Sequence, residues 1–167
     1  GGDFEKDPDF GQGDFCINGL LSPDREPKAS IYEMKYLGQP FEFSVGESQP
    51  LTVTVTNRQY FTDSGIYDFC WEITDGVRTY ASGLLDTGKI PAGGSRTAVI
   101  STKRLKWSGD MEIFLNLRAV LNKDMVYAGK GHEAAHFQQL IAGSRPHVAA
   151  GPKGKVSIQE TDSAYEV

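Results

Sequence analysis

A basic excess is the first thing this sequence lacks. Across 167 residues, 17 Lys and Arg stand against 22 Asp and Glu, giving a formal net charge of -5. Nucleic-acid binders carry a basic patch, so this balance argues against such a partner. Long apolar runs are missing too. No stretch approaches the ~18 residues that suggest a membrane span, and no basic segment followed by an apolar one opens the chain. No membrane partner is expected. Cysteine is scarce: Cys16 and Cys70 are too few for a disulfide scaffold. Cys70 directly precedes Trp71, so on a strand the two side chains point to opposite faces. Two free thiols are expected. Cys16 has no His near it in sequence and lacks the support of a nucleophile.

What is present is globular in character, with 39% apolar and 23% charged residues. The organisation changes near residue 37. Before it, Asp7-Pro8, Asn18-Gly19 and Pro23-Asp24 are turn signals with little periodicity between them. Ala29 to Leu37 reads as a short helix confined by Pro27 and Pro40. From Phe41 the period becomes two. Phe41, Phe43 and Val45 alternate with Glu42 and Ser44, and Leu51, Val53 and Val55 with Thr52, Thr54 and Thr56. Phe69, Trp71 and Ile73 share a face opposite to Cys70 and Glu72. Asp75-Gly76 then predicts a tight hairpin turn into Val77 to Leu85. Met111, Ile113, Leu115 and Leu117 continue the alternation, and Val156 with Ile158 closes it. Roughly eight short strands, with turns such as Pro91 to Ser95 and Ser108 to Asp110, predict an all-β antiparallel sandwich. Glu72 and Glu112 are expected on solvent faces.

Three constellations carry possible chemistry. Asp7, Asp9 and Asp14 hint at a calcium loop, but position 6 is Gln12 rather than Gly and position 12 is Asn18 rather than Glu. His132-Glu133-Ala134-Ala135-His136 spells HExxH, which on a helix sets two imidazoles on one face for zinc, with the Glu as general base of a metallopeptidase. A strand instead separates the two His by ~13 Å, too far for one metal, and Gly129 and Gly131 weaken a helix start. Finally, Tyr60, Phe61, Tyr67, Trp71 and Trp107 suggest a stacking platform for a carbohydrate-binding module, although aromatics in a sandwich are mostly core.

The first 35 residues add a resemblance. GGDF (Gly1 to Phe4), FCINGL (Phe15 to Leu20), Pro23-Asp24-Arg25 with Pro27, and Tyr32-Glu33-x-Lys35 follow one another in order. The series resembles the end of the catalytic barrel in large bacterial β-galactosidases of glycoside hydrolase family two. The likeness continues more weakly through the Pro91 to Ser95 turn and Ala128 to Glu133, and VSIQETDSAYEV (Val156 to Val167) resembles the crossing into a last domain.

The resemblance implies residues 1-36 as the end of a barrel, 37-160 as an immunoglobulin-like β-sandwich connector, and 161-167 as the start of a linker. It implies that this chain is a fragment. Family members cleave β-galactosides with retention through two glutamates, and none of this chain's carboxylates sits in a matching catalytic motif, so no catalytic residue is expected here. In the FC-x-N motif, the resemblance makes the Phe15 carbonyl and the Asn18 side-chain oxygen sodium ligands in the complete enzyme, beside an Asp from a domain absent here. Oxygen donors suit a hard cation. Sodium and magnesium are thus the implied cofactors of the parent, and none is expected to be held by this chain alone. The structural alternative for Asn18-Gly19 is a turn. The loop between Phe4 and Phe15 is longer than the family pattern. Implied partners are neighbouring domains of the same chain and, for the parent, a β-galactoside. Localisation is left open by the sequence; for a bacterial parent the resemblance implies cytoplasm or periplasm.

Overall fold

A computed structural model describes residues 18–46, 50–102, 105–106 and 111–143, together with the backbone of 159–160 and 165–166. The helix α1 spans Ala29–Leu37 and ends where Gly38 donates its N–H to the Met34 carbonyl (2.9 Å). Lys28 offers no side-chain cap at the other end, but Lys35 in the last turn complements the helix dipole. No residue of α1 is buried. On its own the helix lacks the packed face that normally stabilises so short an element.

Seven strands follow: β1 (Phe41–Val45), β2 (Leu51–Asn57), β3 (Tyr67–Thr74), β4 (Thr79–Leu84), β5 (Ser95–Ile100), β6 (Ile113–Leu121) and β7 (Glu133–Ala142). They form two antiparallel sheets, ordered β1-β2-β5 and β4-β3-β6-β7. The fold is the all-β sandwich that the alternation predicts. In constant-type immunoglobulin domains the fourth strand joins the first, second and fifth. Here β4 pairs with β3 instead. The cause is the turn between them: Asp75 Oδ1 accepts the N–H groups of Val77 (2.9 Å) and Arg78 (2.7 Å), which folds β4 straight back on its neighbour. The strand begins at Thr79 rather than Val77, because Val77 occupies the turn and is exposed.

Parity along each strand decides what is buried. Phe41 and Phe43, Leu51, Val53 and Val55, and Ala98 with Ile100 face Phe69, Ile73, Ile113, Leu115, Leu117 and Ala119. Each large side chain removed from water contributes about 1.5–3 kcal/mol. Phe41 meets Phe69 edge-on, with ring centroids 4.9 Å apart, the favoured geometry for aromatic pairs. Outside, cross-strand hydroxyl pairs Thr54–Thr97 and Thr56–Ser95, each 2.9 Å, stitch β2 to β5. Trp71 shares the inward face of Phe69 but is only half-buried, because it packs across the sheet against its partner Gly83. A Cβ at Gly83 would sit 3.1 Å from the indole, so only glycine lets the ring lie there without displacement.

Helix α1 runs into β1, whose Phe41 lies opposite Asn57, the last residue of β2. The loops 58–66, 85–94 and 122–132 gather at this leading end, since Tyr67 pairs with Leu121 and Cys70 with Leu84. The sheet finishes at Ala142 opposite Ile113, the first residue of β6, hence at the trailing end. An odd number of antiparallel strands brings the chain in at one end and out at the other. A short ladder of β8 (Gln159–Glu160) on β9 (Tyr165–Glu166) lies further along the chain. Val156 and Ile158, expected to close the sandwich, lie outside the described residues.

Candidate functional site

The outer face of the four-stranded sheet carries the most concentrated polar chemistry. Strand pairing aligns Glu72 with Asn116 and Asn116 with Gln138, and the next row aligns Cys70, Arg118 and His136. Glu72, Asn116, Gln138, Arg118 and His136, with Glu133, line a shallow recess of about 340 Å³. The Gln138 amide donates to Asn116 Oδ1 at 2.8 Å, and Glu72 Oε1 accepts the Thr79 hydroxyl at 2.6 Å. Glu72 faces outward as expected, yet it is half-buried within this recess; Glu112, just before β6, is half-buried as well.

The HExxH segment falls on β7, not on a helix. A register shift between Ala119 and Val120 leaves Ala134 as the extra residue of a bulge. In a regular strand Glu133 and His136 would face opposite ways. The bulge restores them to one face, and His136 Nδ1 lies 3.1 Å from Glu133 Oε1. His132 precedes the strand and is exposed. The motif therefore yields a Glu–His pair on a sheet, and among the described residues no three His, Cys, Asp or Glu side chains converge as a metal site.

Cys70 is a free thiol, and burial pushes its titration above the ordinary value, partly countered by nearby Arg118. A raised pKa keeps it protonated and a poor nucleophile. Cys16, Phe15, Trp107 and the acidic loop of Asp7, Asp9 and Asp14 lie outside the described residues. Asn18 is described and exposed.

The expected aromatic platform is dispersed. Tyr67 is half-buried against Phe41, with centroids 4.9 Å apart, and Trp71 packs on the core. Tyr60 and Phe61 are exposed in the loop 58–66, with planes inclined by 49° rather than forming one flat surface.

One important residue went unread in the sequence. Asn57 continues the inward face of β2 and is fully buried. Its Nδ2 donates to the carbonyls of Thr62 (2.9 Å), Ile90 (3.2 Å) and Pro91 (3.2 Å), and Oδ1 accepts the Gln59 N–H (3.0 Å). One amide thereby braces two loops of the leading end. Counting parity one step past Val55 was the signal available in the sequence.

Fold and site together define a β-sandwich domain traversed from end to end, with a polar sheet face and braced loops. Residues 53–142 match the family model described as β-galactosidase, domain 4. The chain belongs to that family. It is 30% identical to a β-galactosidase of Psychromonas ingrahamii, over 99% of this chain and 17% of that enzyme. Similar likeness holds for β-galactosidases of Yersinia enterocolitica (30%, covering 90% and 14%) and Pseudoalteromonas haloplanktis (28%, covering 100% and 17%). The chain thus spans about one-sixth of the length of these relatives.

Proposed function

We propose that this chain is a non-catalytic connector domain of an enzyme that hydrolyses terminal β-galactosides. The carrying observation is the passage of the chain from the leading to the trailing end in a sandwich of the β-galactosidase domain 4 family. A nine-residue strand such as β6 sets a spacing of ~30 Å at ~3.3 Å per residue. The sandwich acts as a rigid spacer between its neighbouring domains, and its carboxylates shape its own surface. The test uses the intact polypeptide carrying these residues. Glu72→Gln and Glu133→Gln are expected to leave kcat on a chromogenic β-galactoside within about twofold. A loss beyond about a hundredfold, the scale of a removed general acid or base, sinks the non-catalytic assignment.

The sodium and magnesium requirement is proposed for that intact enzyme. Phe15 and Asn18 supply a carbonyl and an amide oxygen of the type a hard cation takes. The exposure of Asn18 leaves its amide open to a neighbouring domain. Asn18→Ala is expected to raise the sodium concentration needed for half-maximal activity; an unaltered sodium dependence speaks against it.

A further inference from the structure

The recess on the outer face of the four-stranded sheet holds more hydrogen-bonding capacity than its own residues use. Glu72 commits one carboxylate oxygen to the Thr79 hydroxyl, Glu133 one to His136, and Asn116 its carbonyl oxygen to Gln138. Among the described residues, nothing bonds the second oxygen of either carboxylate, the Asn116 amide nitrogen or the Gln138 carbonyl oxygen. Arg118 is the sharper case. It stands in register between Cys70 and His136 and lines the same recess as both carboxylates. Its guanidinium nevertheless forms no hydrogen bond or ion pair with a described residue. Strand register fixes the backbone under these groups, with neighbouring strands ~4.8 Å apart, so little ordering of the scaffold is left for a ligand to impose.

Charge narrows what fits. Two carboxylates against one guanidinium repel an anion, and Arg118 between them repels a cation. No three His, Cys, Asp or Glu side chains of the described residues converge on a metal. What remains is a neutral ligand that gives and accepts hydrogen bonds at neighbouring atoms. A hydroxyl does both, with one donor and two lone pairs. Vicinal hydroxyls present two such groups at once, which suits a carboxylate or the guanidinium fork. Phe137 contributes apolar ring surface to the wall, against which the C–H face of a sugar can lie. The volume of about 340 Å³ falls at the low end of ligand sites, roughly 300–1,000 Å³, and suits a small saccharide.

We propose that this recess is a non-catalytic saccharide-binding site, with Glu72, Asn116, Arg118, Glu133 and Gln138 holding sugar hydroxyls. That the saccharide is a galactoside rests on the proposed function, since the recess chemistry by itself calls for a neutral sugar.

Lactose titrated into the isotope-labelled 167-residue chain, followed by NMR, provides the test. Saturable shifts are expected at the side-chain amides of Asn116 and Gln138, with a midpoint on the order of millimolar, as suits an open site where water competes. Gln138→Ala and Arg118→Met, both at exposed positions, are each expected to weaken binding at least about fivefold, while the backbone amides of Leu115 and Leu117 keep their positions. The absence of a saturable shift by about 100 mM lactose, or binding undiminished in both variants, overturns the proposal. Galactoside hydrolysis by the intact polypeptide separates the two readings. Hydrolysis without lactose binding by the chain strikes out the recess site and leaves the galactosidase assignment standing; binding without hydrolysis does the reverse.

Discussion

Asn57 illustrates how one side chain can organise a region it does not belong to. Its buried amide satisfies three carbonyls from two loops while accepting an N–H itself. Removing it strands those carbonyls away from water, at about 1–3 kcal/mol for an orphaned buried group. Asn57→Ala is expected to lower unfolding free energy by roughly 2–4 kcal/mol in urea titration. Asn57→Asp should be worse, because a carboxylate would face the same carbonyls with no N–H to give. Tyr67 makes a second residue-scale statement. Burial, together with its hydrogen bond to Tyr127, pushes its phenol up to about 12. The folded form therefore holds its proton above pH 10 while the unfolded form releases it. Stability from this group is complete below pH 10 and declines between pH 10 and about 12. Ultraviolet titration is expected to show a tyrosinate forming near pH 12 that is lost in Tyr67→Phe.

Elements were legible where one period ruled them. Phe41 to Val45 and Leu51 to Val55 declare their buried face by alternation alone, and Pro27 and Pro40 bracket α1. What the sequence concealed came from local departures from that period. The bulge at Ala134 turns Glu133 and His136 to the same face, which no count of twos reveals, although the strand weighed against a helical HExxH is what β7 forms. Trp71, placed inward by parity, is half-buried because glycine opposes it. The end of β7 carries its own constraint. Gly143 has φ of +89°, and an added Cβ would lie 1.9 Å from the Met111 carbonyl oxygen. Both backbone strain and a collision with main chain oppose any larger residue. Gly143→Ala should cost at least about 1–3 kcal/mol, seen as a lowered denaturant midpoint with an unchanged slope.

For the whole molecule, strand count and connectivity matter more than any single contact. Seven antiparallel strands carry the chain from α1 at one end to Ala142 at the other, and the proposed spacer role rests on that directionality. Composition argued against nucleic-acid binding and offered no apolar run of membrane-span length, and the ordered N-terminal motifs pointed to the β-galactosidase family that residues 53–142 match. The expected sodium ligand Phe15 lies outside the described residues, while the bracing of two loops by Asn57 escaped sequence reading because Ile90 and Pro91 meet its amide only through the fold. Within the core, Leu115 is fully buried between the sheets, and Leu115→Ala should cost about 2–5 kcal/mol. The most direct test of the connector assignment is galactoside turnover by the purified 167-residue chain in sodium- and magnesium-containing buffer, beside the intact polypeptide at equal molarity. The account expects hydrolysis by the intact polypeptide and none above background by the chain. Turnover by the chain that disappears with Glu72→Gln or Glu133→Gln would contradict it and make the sheet recess an active site.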